Sequence, residues 1–203
     1  MDEIGLFPLG LVLLPSEQVP LHIFEPRYRE LIGECLAREA EFGIVLADER
    51  GLRAVGTRAR VADVLERFPD GRLNILIQGG DRFRVIELTR GRHFQTAQVE
   101  TVADESDGPA DDSVDRGLKL FRKLREATGS EVDEPDPALG HLSYQLAARV
   151  DFGAEVKQQL LEMRSEPRRL DIVCELLEGA IQTVALESEV RERASGNGKV
   201  SLE

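Results

Sequence analysis

The feature that most constrains how this chain can fold is a change of hydrophobic period partway along it. As far as about residue 102 the apolar residues come in short runs broken by Pro and Gly, the pattern of strands. After residue 113 they recur every three to four residues, the pattern of amphipathic helices. Between the two, residues 103–113 combine five acidic side chains with Gly108 and Pro109 in a turn-rich connector. Strands first and helices afterwards imply an α+β protein. The expected organisation is a β lobe over 1–103, an acidic, solvated linker over 104–112, a helical lobe over 113–193 and a disordered polar tail over 194–203.

Within the β lobe, the runs at 4–7, 11–14 and 19–24 read as short strands, and the Pro residues among them suit edges and bends because Pro cannot donate to a ladder. Glu25 and Pro26 open a helix: Pro suits the first helical position, and Tyr28, Leu31, Ile32, Cys35 and Leu36 share one face. Further strands are expected at 42–47, 53–68, 73–77, 82–88 and 94–102. Pro69-Asp70-Gly71-Arg72 supplies a hairpin turn, and Gly79-Gly80 is expected to break its strand as a bulge or corner. Six or more short strands with glycine corners and one inserted helix suggest a small closed or half-closed β-barrel.

In the second half, Ser113 is expected to cap a helix carrying Val114, Leu118, Phe121 and Leu124. Asp136 and Pro137 open another, with Leu139, Leu142, Leu146, Ala147 and Val150 on one face. A third, over 154–163, carries Val156, Leu160 and Met163. Glu166 and Pro167 begin a long fourth, whose stripe is Leu170, Val173, Cys174, Leu177, Ile181 and Val184. Four such helices suffice for a small bundle.

The net charge of −12 sits mostly in residues 104–203, with 22 acidic against 13 basic side chains. Affinity for phosphates rests on Lys and Arg, so this balance argues against a general nucleic-acid or anionic-membrane binder and leaves room only for a local basic patch. No apolar run approaches the roughly 18 residues of a membrane span, and no basic-then-apolar leader opens the chain, so a cytoplasmic location is expected. Cys35 and Cys174 belong to no CxxC pair, lie on apolar stripes and read as buried thiols. His22, His93 and His141 are scattered without zinc spacing, no serine sits in a Gly-x-Ser-x-Gly elbow, and the acidic run lacks the alternation of an EF-hand. No metal site, cofactor or catalytic residue is therefore expected.

Phe7-Pro8-Leu9, Leu14-Pro15 and the run PLHIFEPRY from Pro20 to Tyr28 resemble the opening signature of the Lon substrate-binding (N-terminal) domain family. Phe42-Gly43-Ile44-Val45, Val55-Gly56-Thr57, Pro69-Asp70-Gly71-Arg72 and Gly79-x-x-Arg82-Phe83 follow in the family's order, as do Leu142-Ser143, the stretch from Lys157 to Glu162, and Arg169-Leu170. The resemblance covers about residues 4–190. It implies a PUA-like barrel with an inserted helix, followed by a bundle of about four helices, and a role in recognising unfolded or tagged polypeptides. Gly196-Asn197-Gly198-Lys199 lacks the spacing and the Ser or Thr of a phosphate loop, and no Ser-Lys peptidase follows, so a free-standing, non-catalytic member is expected.

The function expected from these readings is that of a polypeptide-recognition or adaptor protein, its partners unfolded or flexible segments held in a cleft between the lobes or along barrel edges, with a protease or chaperone as a further candidate partner. The alternatives are a PUA-like nucleic-acid-binding module and, less favoured, a hydrolase of unknown type. Four successive apolar residues cannot all face one core in a half-exposed strand, so Leu11, Val12, Leu13 and Leu14 are candidates for an exposed apolar patch. His22, Arg27 and Arg82 complete the candidate contact set. For Arg27 a tie to a neighbouring carbonyl or carboxylate competes with ligand contact, and for Arg82 a clamp at the barrel edge does.

Overall fold

The structure is a computed structural model describing residues 2–196. Its seven strands are β1 (Asp2–Leu9), β2 (Gln18–Ile23), β3 (Phe42–Asp48), β4 (Gly51–Leu52), β5 (Val55–Arg67), β6 (Leu73–Thr89) and β7 (Thr96–Thr101). Its helices are α1 (Pro26–Arg38), α2 (Asp111–Thr128), α3 (Leu142–Ala147), α4 (Ala154–Glu162) and α5 (Glu166–Gly196). They form two units. The first holds the chain up to Ser106 together with Val150–Ser165, and the second holds Asp107–Arg149 and the chain from Glu166 onward. The tail expected to be disordered over 194–203 is helical where it is described: residues 194–196 continue α5, and the remainder lies outside the described residues.

In the first unit the strand order β1-β7-β6-β5-β3 is closed by a parallel pairing of β3 with β1, and the other pairings are antiparallel. The expected barrel is therefore closed. Its interior is filled by Leu6, Val45, Phe83, Ala97 and Val99. A Cβ on Gly56 would come within 2.8 Å of the Phe83 ring and 2.5 Å of the Ile44 carbonyl oxygen. Only glycine lets strand and ring approach so closely.

The first half of β6 extends beyond this ring, flanked by β2 on one side and the outer half of β5 on the other. Its period-2 pattern sets the faces: Leu73, Ile75 and Ile77 are buried, whereas Asn74, Leu76 and Gln78 face outward and are half-buried. Beneath the buried face lies a second core where Tyr28, Leu31, Ile32 and Cys35 of α1 meet Phe7, Phe42, Ile75 and Ile77. Pro26 occupies the first turn of α1 and Glu39 closes it in a left-handed conformation, as the spacing predicts for the start.

Four expectations change here. Gly79 and Gly80 do not break β6, which runs unbroken to Thr89. Gly79 instead lets a loop cross the strand, since a Cβ there would lie 2.2 Å from the Leu14 carbonyl oxygen. The third helix, α4, belongs to the strand unit, where Gln158 donates to the Val55 carbonyl at 3.1 Å. Part of the acidic linker is not solvated, because Asp104 pairs with buried Arg82. Finally, α2 starts at Asp111 with Ala110 as its cap, placing Ser113 inside the first turn.

The second unit packs α2, α3 and α5. Gly117 of α2 lets Leu146, Leu170 and Cys174 close against it. Asp136 and Pro137 begin only a 3-10 turn (Pro137–Leu139), because Gly140 (φ 75°) and His141 (φ 46°) turn the chain before α3, and Leu139 is exposed rather than part of a core stripe. Glu166 accepts from the Ser143 amide at 3.0 Å and its hydroxyl at 2.6 Å, satisfying the start of α3. Fully buried Arg169 donates to Ser143 Oγ at 2.8 Å and to Glu166 at 2.5 Å, and stacks 3.9 Å over the Tyr144 ring. Among the described residues no helix is long and apolar enough to cross a membrane.

Candidate polypeptide-binding surface

The candidate residues do not come together. Residues 11–14 form a loop, not a strand, and Val12, Leu13 and Leu14 are buried while Leu11 is partly buried. The loop is held by polar ties: Thr57 Oγ1 donates to the Leu13 carbonyl at 2.6 Å and the Leu14 amide donates to Glu17 at 2.8 Å. Glu17 is in turn held by Lys157 of α4 at 2.6 Å. The expected exposed apolar patch is thus core, because the alternation rule that exposes half a run applies to strands and not to a loop folded over a sheet.

Arg82 is also internal. It donates to the carbonyls of Leu161 at 2.8 Å and Met163 at 2.5 Å, and pairs with Asp104. Its clamp therefore holds the end of α4 and the segment leaving β7 to the barrel. Arg27 is exposed, bonded at 2.8 Å to Glu25 and seated 4.5 Å over the Tyr28 ring, the local tie expected of it.

His22 is the exception. It stands on the outer face of β2, its Nδ1 2.6 Å from Asn74 Oδ1, and Asn74 Nδ2 donates to Glu66 at 2.9 Å. The ring stacks on Phe24 at 5.9 Å and meets Phe68 edge-on at the same distance, while Arg72 lies 5.0 Å over Phe68. Beside this row Pro20, Leu21, His22, Leu65, Glu66 and Asn74 line an open concavity of about 600 Å³. Phe24 is 59% exposed and Leu65 54%. The result is an apolar ledge with a small hydrogen-bonding strip along it, the composition of a surface that takes side chains from a partner.

Sequence reading missed Phe24, Leu65, Glu66 and Asn74. A signal for Phe24 was present: Val19, Leu21 and Ile23 are the inward phase of β2, so an apolar residue directly after Ile23 falls on the outward phase. Leu65 carried none, since register shifts in β5 between Val61 and Asp63 and between Val64 and Glu66 decide its side. Burial pushes the Cys35 thiol up to about 11 and raises Cys174 as well, so both thiols are protonated at neutral pH and unsuited to nucleophilic work.

The model of the ATP-dependent protease La (LON) substrate-binding domain matches residues 3–179. A Lon protease of Anaeromyxobacter dehalogenans is 30% identical across 91% of this chain, and one of Paraburkholderia phytofirmans is 29% identical across 96%. The match spans 24% and 26% of those two proteins, so this chain corresponds to about a quarter of their length. The crystal structure of a Lon N-terminal domain protein from Xanthomonas campestris superposes with a TM-score of 0.68 at 27% identity, covering 85% of this chain and 97% of that one. The N-terminal domain of a Mycobacterium avium complex Lon protease shares the fold at a TM-score of 0.66 and 17% identity.

Proposed function

The chain belongs to the Lon substrate-binding domain family, and from that premise we propose that it recognises extended polypeptide segments on the ledge formed by β2, β5 and β6 without transforming them. The observation that carries this reading is the exposure of Phe24 and Leu65 beside the His22-Asn74-Glu66 strip. Aromatic and aliphatic side chains held this way serve as anchors, and the polar strip can bond to a bound backbone.

Side-chain anchoring is favoured over strand addition. Among the described residues β2 pairs only with β6, but its other edge carries Pro20, and the outer half of β5 carries two register shifts and the charged residues Asp63, Glu66 and Arg67. Both devices blunt strand edges. Pairing of Arg27, Arg53, Arg58, Arg72 and Arg92 with carboxylates favours polypeptide over nucleic acid as the partner.

Fluorescence anisotropy with labelled extended peptides tests the proposal. A segment rich in Leu and Phe is expected to bind without nucleotide, with a dissociation constant on the order of 1–100 μM, because docking costs the segment its conformational freedom. No saturable binding up to about a millimolar, roughly −4 kcal/mol, by any member of a diverse apolar set overturns it.

A further inference from the structure

A second concavity, separate from the ledge, lies where α1 faces β1 and the turn joining β6 to β7. Its volume is about 320 Å³, at the small end of ligand pockets, so it suits a chain end better than a length of chain. Ile4, Leu31 and Phe94 supply an apolar floor. The turn that forms one wall is pinned to α1 twice, by Arg92 to Glu34 and by His93 to Glu30 at 2.8 Å. Charges on the lining divide unequally in their commitments. Glu34 is held by Arg92, Glu41 faces Arg58 at 3.9 Å, and Glu3 accepts from the Thr89 hydroxyl at 2.5 Å. Arg38 and Arg90 also line the groove, and no ion pair engages either of them among the described residues.

An apolar floor with two uncommitted guanidinium groups at the rim is complementary to a carboxylate on an apolar stem. We propose that this groove holds the C-terminal residue of a bound polypeptide, its side chain against Leu31 and Phe94 and its carboxylate at Arg38 and Arg90. The inference rests on the polypeptide reading above and narrows it to segments that present a free end.

The test uses the full chain and a labelled apolar peptide ending in Leu, prepared as the free acid and as the C-terminal amide, with a third, amidated peptide carrying an internal Glu near its end. The expected result is that amidation weakens binding about tenfold, the worth of one charge-assisted contact, and that internal Glu does not restore it. In Arg38→Ala and Arg90→Ala, exposed positions whose loss leaves the fold intact, acid and amide are expected to bind alike. Equal binding of acid and amide to the unaltered protein overturns the groove proposal while leaving polypeptide recognition standing. Full rescue by the internal Glu, or an acid preference that both arginine variants retain, overturns it equally. Failure of every peptide to bind overturns both readings.

Discussion

The imidazole of His22 lies nearly parallel to the ring of Phe24, 5.9 Å between centroids, while Phe24 remains 59% exposed. A stacked ring is partly immobilised before any partner arrives, so less conformational freedom is lost on binding. Phe24→Ser and Leu65→Ser are therefore expected to weaken peptide binding by about 1–2 kcal/mol each, while stability stays within about 0.5 kcal/mol, as at other exposed positions. Parallel anisotropy and thermal unfolding measurements check this. A large fall in melting temperature for either variant would show the side chain to be part of the core.

Leu13→Ser is expected to behave oppositely. Leu13 is 1% exposed and packs in the core beneath α1, so the change forfeits apolar burial, leaves a cavity and buries a hydroxyl. A loss of about 3–5 kcal/mol in urea unfolding follows. A loss below about 1 kcal/mol would contradict the assignment of this loop to the core.

Arg82→Met removes the donor shared by Leu161, Met163 and Asp104, so two carbonyls and a largely buried carboxylate lose its hydrogen bonds. The expected cost is about 3–5 kcal/mol, with faster amide exchange in residues 102–106 and 161–165, whose backbones Arg82 draws together. Arg82→Lys should recover only part of it, since one ammonium cannot reproduce a planar fork aimed at several acceptors. Complete recovery by Lys would argue for simple charge pairing.

The buried Cys35 thiol makes stability depend on alkaline pH. Its value rises to about 11 in the fold, chiefly through burial and secondarily through Glu34, from an ordinary value of 9.0. The folded state therefore holds a proton that the unfolded chain releases. The thiol's contribution is fully present below pH 9 and is lost as pH climbs from about 9 to 11. Cys35→Ala should be less stable at pH 8, yet lose less further stability than the unaltered protein between pH 8.5 and 10.5. Identical slopes would show that Tyr28 and Cys174, also raised by burial, carry the alkaline loss.

Most of the fold was legible because its signals are local. The outward and inward phases of β2, the Pro26 start of α1 and the stripe of α5 follow from period and capping chemistry alone. Three features were illegible for a common reason. The burial of residues 11–14, the capture of Asp104 by Arg82 and the transfer of α4 to the strand unit each depend on partners more than 20 residues away, which period does not encode. Arg82 shows the limit well: an arginine beside a core phenylalanine reads as a clamp, but nothing local names the carbonyls of Leu161 and Met163 as what it clamps. At the ledge, His22 was among the sequence candidates, whereas Leu65 depends on bulges that shift its side.

The most direct measurement is an amide and methyl NMR titration of the labelled protein with an extended Leu- and Phe-rich peptide. Polypeptide recognition at the ledge predicts saturable shifts concentrated at His22, Phe24, Leu65, Leu76 and Asn74, with the buried loop around Leu13 unmoved. Shifts confined to other surfaces, or none at millimolar peptide, would contradict it.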